Sequence, residues 1–272
     1  MLKNIYLKSI IYTIVYLIIT SIISVLFYYT IGDYILNNIA SLLPLTDTVI
    51  YSITLFGVYI IAKKQTISHI FIPISTSKTV INILIIILIV FLFRIALDPL
   101  YRIDLITGKI DYPNIKDRTI EPIKALIYLI NTAILVPIIE ELFFRKIIFY
   151  NILQSTKDKV YISILLSSTL FAIIHVRFYP FYFNPIYFMN ALFTGVVSCF
   201  IYLRYGRILY SIFFHSLINL MAFLINNYIA KEYWEGLKIL NFNLFYWLLF
   251  MSASLILSIF LIQTGLKIKK SI

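Results

Sequence analysis

Glu140 and Glu141 are adjacent carboxylates in the run Pro137-Ile138-Ile139-Glu140-Glu141-Leu142-Phe143-Phe144-Arg145, whose other members are almost all apolar. An ionisable group at hydrocarbon depth is costly, so its default reading is functional. Glu141 and Arg145 are four residues apart and meet on one helical face, where Arg145 can hold Glu141 ionised. Glu140 lies about 100° round the helix and is not offered that cation. Of the two it is the one suited to act as a general base near neutral pH. Two of the three histidines also lie in apolar runs, in Phe171-Ala172-Ile173-Ile174-His175 and His215-Ser216-Leu217-Ile218-Asn219. The four-residue spacing puts His215 and Asn219 on one face, from which they can point into one cavity. A single buried His or Asn is ordinarily a satisfied interhelical hydrogen-bonding group, and it is the joint pattern that argues otherwise.

These groups need helices to carry them, and the composition supplies them. The 272 residues are 61% apolar and 13% charged, against about 25% charged in an ordinary soluble domain. The chain reads as an all-α, polytopic integral membrane protein. Apolar runs of about 20 residues place helices near 9–30, 46–62, 79–97, 122–153, 159–178, 185–204, 208–227 and 243–265, a bundle of about eight transmembrane helices. The first run is too long for a signal-peptide core and shows no small-residue cleavage pattern, so it is expected to be retained. Residues 1–121 form N-terminal helices and an outer loop at 98–121, residues 122–226 the motif-bearing core, and residues 227–272 a last helix and basic tail, all in one membrane domain. Pro137 should kink its helix or free backbone carbonyls there.

The charges give an orientation. With the N-terminus inside, inner segments gather fourteen of the 23 Lys and Arg residues, while nine of the twelve acids fall outside. This positive-inside pattern puts both termini in the cytosol. The net charge of +11 therefore speaks for anionic lipid headgroups rather than nucleic acid. The compartment expected is a bacterial plasma membrane. The lone Cys199 offers neither a disulfide nor a cysteine-based metal site. Arg94 and Asp98, four apart, are expected to pair and snorkel outward in a structural role, and His69 sits in a basic loop. Counted from the turn near residues 155–158, Glu140 and His175 lie roughly 22–27 Å up neighbouring helices, whereas His215 is roughly 13 Å from the turn at 204–207. A shared site then sits in the inner half of the bilayer, with the hairpin tip at Lys157-Asp158-Lys159 projecting about 10 Å into the cytosol.

Glu140-Glu141-x-x-x-Arg145, Phe171-x-x-x-His175 and His215-x-x-x-Asn219, in this order on successive helices, resemble the motifs of the CAAX-protease and bacteriocin-processing (CPBP/Abi) family of intramembrane proteases. The resemblance covers residues 122–226. It implies an eight-helix bundle with a cavity open to the cytosol, and endopeptidase action on a peptide or protein presented from the cytosolic leaflet among membrane lipids. In some relatives the substrate is a prenylated C-a-a-X tail that loses its last three residues; others process bacteriocins or confer self-immunity to them.

On that resemblance Glu140 and His175 activate water, His215 and Asn219 stabilise the oxyanion, and Glu141, Arg145 and Phe171 support them. A metalloprotease reading would make Glu140, His175 and His215 the ligands of a zinc ion; the same groups suffice without metal. Other intramembrane protease classes fit badly, since no His-Glu-x-x-His, Gly-x-Ser or Gly-x-Gly-Asp motif is present. The rival reading is a non-proteolytic immunity or scaffold protein of the same fold, with the 98–121 loop and the aromatic segment 178–183 as its binding surfaces.

Overall fold

The computed structural model describes residues 11, 15, 48–50, 52–54, 56, 57, 76–101, 121–155, 159–178, 181, 182, 185–239, 249, 252–254, 256, 257 and 260. The helices are α1 (Thr76–Tyr101), α2 (Pro122–Ile130), α3 (Val136–Glu141), α4 (Tyr150–Ser155), α5 (Val160–Ile174), α6 (Pro185–Tyr205), α7 (Ile208–Asn227) and α8 (Ala230–Ile239). Wide π-helical segments at Asn131–Leu135 and Leu142–Phe149 join α2, α3 and α4 without a break. Among the described residues the remaining regular structure is a two-stranded antiparallel ribbon, β1 (Arg177–Phe178) with β2 (Phe181–Tyr182), in the register Arg177 to Tyr182 and Phe178 to Phe181.

Four stretches are long and apolar enough to cross a membrane: Val80–Asp98, Pro122–Leu153, Tyr187–Tyr205 and Ile208–Asn227. The chain is an integral membrane protein. These are the third, fourth, sixth and seventh of the expected spans. The first span, most of the second and eighth, the 98–121 loop from residue 102, His69, the basic tail and the hairpin tip at 156–158 lie outside the described residues. On α1 the outward side is apolar, with Val80, Ile81, Leu84, Ile87, Leu88 and Phe91 exposed, whereas Asn82, Arg94 and Asp98 are buried. Apolar residues outside and polar residues inside is the arrangement a hydrocarbon solvent selects.

Two expectations need correction. The fifth span, expected over 159–178, is a 15-residue helix that stops at Ile174. Its end tightens, the N–H groups of His175 and Val176 bonding three residues back to Ala172 and Ile173, and the chain then enters the β1–β2 ribbon. Pro180 and Pro185 follow within a few residues; neither has an N–H to extend a helix. The segment Lys231–Lys238, left between the expected spans 208–227 and 243–265, is helical in α8. Ala230, Trp234 and Leu237 are buried along one stripe while Lys231, Glu232 and Glu235 face out, a helical periodicity hidden by the density of charge.

The chain divides into two compact units, residues 1–69 with 121–199 and residues 70–120 with 200–272, the boundary falling within α6. In the first unit the wide segment Leu142–Phe149 packs on α5. Ile139, Phe143, Phe144, Ile147, Ile148, Ile152, Phe171, Ala172 and Ala191 form one buried cluster. A Cβ on Gly195 of α6 would lie 3.0 Å from Cα of Ser168 on α5, so the missing side chain is what lets these helices touch. In the second unit α1 packs on α7 and α7 on α8, with Phe93 and Phe214 edge to face at 6.2 Å.

Arg94 and Asp98 pair as expected, Nε to Oδ2 at 3.0 Å, but do not reach outward. They are 9% and 2% exposed, and Tyr233 of α8 donates its hydroxyl to Asp98 Oδ2 at 2.6 Å. Burial and the neighbouring Asp98 carboxylate push the Tyr233 phenol well above the usual tyrosine range, so it stays a donor. Breaking a buried pair strands a charge, whereas replacing both partners does not. Asp98→Ala should cost about 3–5 kcal/mol, Tyr233→Phe about 1.5–3 kcal/mol, and the double change Arg94→Met with Asp98→Leu far less than Asp98→Ala. Thermal unfolding of the three variants in detergent checks this order.

Candidate active site

Pro137 dictates the local shape of the motif helix. It has no N–H to give to the carbonyl four residues back, and its ring would clash there. The helix widens just before it: the Val136 N–H reaches five residues back to Asn131 O, closing the segment Asn131–Leu135. Thr48 donates to Asn131 Oδ1 at 2.8 Å and so ties a residue of the second expected span to this wide turn. Normal α-geometry resumes over Val136–Glu141 and gives way to the second wide segment directly after the two carboxylates. Glu140 and Glu141 thus sit on a short α-helical step between two wide turns, a distortion associated with functional sites.

The two carboxylates are treated differently. Arg145 sends Nε to Glu141 Oε2 at 3.0 Å and donates from Nη2 to Glu141 Oε1 at 3.1 Å. Both side chains are 0% exposed. Glu140, on the same step, is half-buried. The guanidinium meets the carboxylate through one hydrogen bond and one further ion contact, so Arg145 is paired with Glu141.

Phe171 carries this arrangement to His175. Its ring is 1% exposed and lies 4.8 Å under Arg145 Cζ, edge to face with Phe144 at 5.2 Å and 4.7 Å from the His175 ring. His175 is not inside its helix, as the sequence suggested, but caps its C-terminal end and is exposed. Its Nδ1 is 2.8 Å from Phe171 O. A carbonyl only accepts, so Nδ1 holds the proton and Nε2 of the neutral ring is left as the acceptor. The Phe171-x-x-x-His175 spacing therefore has a physical reason: one residue supplies the ring face that orients the imidazole and the carbonyl that fixes its tautomer.

The first unit thus brings Glu140, Glu141, Arg145, Phe171 and His175 onto the wide-turned helix and α5. His215 and Asn219 belong to the second unit, on α7, where His215 is 4% exposed and Asn219 half-buried one turn later. Within either unit, among the described residues, no three His, Cys, Asp or Glu side chains gather as a metal site, so the chemistry below is derived from side chains alone. Sequence reasoning missed the support for the motif helix: Ser167 donates to Phe144 O at 3.1 Å, and Gly195 admits Ser168. The small pair Ser167-Ser168 in an apolar helix was the available signal.

Residues 122–221 match the family model described as type II CAAX prenyl endopeptidase Rce1-like. This segment is Rce1-like. The match contains all three motifs read from the sequence, from Glu140 to Asn219, and agrees with the family resemblance they carry. The Rce1-like segment begins at the first residue of α2 and ends within α7, so it runs through parts of both units. No curated protein and no solved structure matches the chain.

Arg145→Lys keeps the charge but loses the fork and the ring contact; with breaking a buried pair as the upper bound, it should cost about 2–4 kcal/mol. Phe171→Leu keeps the bulk and the carbonyl but removes the stacking face, and should cost about 1–2 kcal/mol. Denaturation in mild detergent, followed by loss of helical signal, reads both; equal stability of Arg145→Lys and the parent would contradict the geometry above.

Proposed function

We propose that the chain is an intramembrane endopeptidase in which Glu140 is the general base. The single observation that carries the reading is the fully buried pairing of Arg145 with Glu141, which assigns the cation to Glu141 and sets it apart from the half-buried Glu140 beside it. The Rce1-like match supports the reaction class. Glu140 and His175 hold a water between them, His175 accepting through Nε2. The water oxygen attacks the scissile carbonyl carbon as Glu140 takes a proton. His215 and Asn219 donate to the oxyanion, and Glu140 returns the proton to the amide nitrogen as the C–N bond breaks. The reading requires the Glu140–His175 and His215–Asn219 sets to face one substrate.

The substrate proposed is the C-terminal peptide of a membrane-attached protein, presented from the cytosolic leaflet. The matched family, type II CAAX prenyl endopeptidase, points to a prenylated tail, and the positive-inside charge pattern supports that side. Zinc is not needed for any step, although Glu140, His175 and His215 are residue types it binds.

With a farnesylated C-a-a-X reporter peptide and purified protein, Glu140→Gln should lower cleavage by about 100- to 10,000-fold. His215→Ala and Asn219→Ala should each lower kcat by about 100- to 1,000-fold. A well-folded Glu140→Gln protein that cleaves at the parental rate sinks the mechanism. Prolonged chelation should leave the rate unchanged; loss on chelation with recovery on adding zinc would assign the water to a metal instead.

A further inference from the structure

The turn between α6 and α7 gathers hydrogen-bond donors without acceptors. α6 ends through Gly206, whose φ of 63° lets its N–H close back on Tyr202 O at 2.9 Å, the left-handed stop that glycine adopts without strain. Arg204 and Tyr205 precede this stop. Arg207 follows it as the N-cap residue of α7, with no side-chain cap on the helix. Three polar atoms at this turn are buried and have no hydrogen-bond partner: Arg204 Nη1, Tyr205 Oη and Arg207 Nε. Tyr205 itself is only 6% exposed. Neither arginine makes an ion pair among the described residues, and no Asp or Glu occurs anywhere between residues 159 and 231.

Arg204 and Tyr205 are held by ring contacts. The Arg204 guanidinium stacks between two rings, 5.2 Å from Tyr205 and 5.2 Å from Phe260. Tyr205 in turn lies 4.6 Å from Tyr210 in the first turn of α7. A helix start adds outward N–H groups and a positive dipole end. A stacked guanidinium, a second arginine and a hydroxyl, each with a buried polar atom lacking an acceptor, call beside a helix start for a multiply accepting anion. A tetrahedral phosphate group fits, because guanidinium forks and helix starts both bind it. The turn also joins the spans Tyr187–Tyr205 and Ile208–Asn227, and the end of a membrane span is where phosphodiester headgroups lie.

We propose that Arg204, Tyr205, Arg207 and the start of α7 form a binding site for a phosphate group, carried by a phospholipid headgroup or free in solution. The site is independent of the protease reading, since none of its residues takes part in the chemistry above.

The test uses the full chain in detergent, delipidated and then titrated with phosphatidylglycerol while native mass spectrometry counts retained lipid. Inorganic phosphate is added in a second arm. The parent protein should keep one lipid at collision energies that strip the rest. The double variant Arg204→Gln with Arg207→Gln should bind it at least about 10-fold more weakly, and Tyr205→Phe, which deletes one hydroxyl and leaves the rings stacked, about 3-fold more weakly. Lipid that persists against millimolar phosphate supports the site with a headgroup as its ligand, and displacement supports it with free phosphate. Equal retention by the parent, the double variant and Tyr205→Phe overturns the proposal, as does the absence of any tightly held lipid or phosphate. Tyr205→Phe keeps the test valid should the double variant fail to fold.

Discussion

Arg145 holds a guanidinium group at 0% exposure. In a low-dielectric interior such a group persists only with a partner that neutralises it. Glu141 is that partner through one hydrogen bond and a second ion contact, and the Phe171 ring covers one face of the guanidinium. Much of the first unit follows. Phe171 must be on α5 at the level of Arg145, the motif helix must lie against α5, and α5 must come close enough to α6 that Gly195 has no room for a side chain. The pair also distinguishes two neighbouring glutamates: Glu141 neutralises a cation at full burial, and Glu140 is half-buried beside it.

A second buried pair makes an instructive contrast. Arg94 and Asp98 have the same four-residue spacing and almost the same ion-pair distance. Yet Asp98 receives a further hydrogen bond from Tyr233, a residue 135 positions away. No second carboxylate adjoins Asp98 in the sequence, and the cluster joins α8 to α1 within the second unit. The spacing of an ion pair on a helix therefore says little about function. The informative feature at the motif is the second glutamate beside the pair.

Much of this was legible in the residues. The four apolar stretches and the ion pairs at i, i+4 follow from period and composition, because a hydrocarbon solvent punishes exceptions heavily. Pro137 announced a distorted helix, though not whether it would kink or widen; that choice depends on whether a carbonyl five residues back can take the stranded N–H. The wide segment after Glu141 has no such marker. His175 was read as sitting inside a helix because the apolar run continues past it to Val176, and hydropathy does not register the tightened turn that ends the helix at Ile174. Likewise α8 escaped notice because Lys231, Glu232, Glu235 and Lys238 mask the Ala230, Trp234 and Leu237 stripe. The role of Phe171 was carried only by family resemblance, since a ring that serves a guanidinium and an imidazole at once looks in sequence like any other core phenylalanine.

Glu140 as the base of a peptide-bond hydrolysis is the claim on which the functional account stands. Its most direct test is quantitative mass spectrometry of membrane-associated peptides from cells that carry the gene, lack it, or carry Glu140→Gln at matched protein levels. The account predicts C-terminal fragments present only with the unaltered protein, and the corresponding uncut precursors accumulating equally in the deletion and the Glu140→Gln cells. Identical fragments in the parent and Glu140→Gln cells would contradict it.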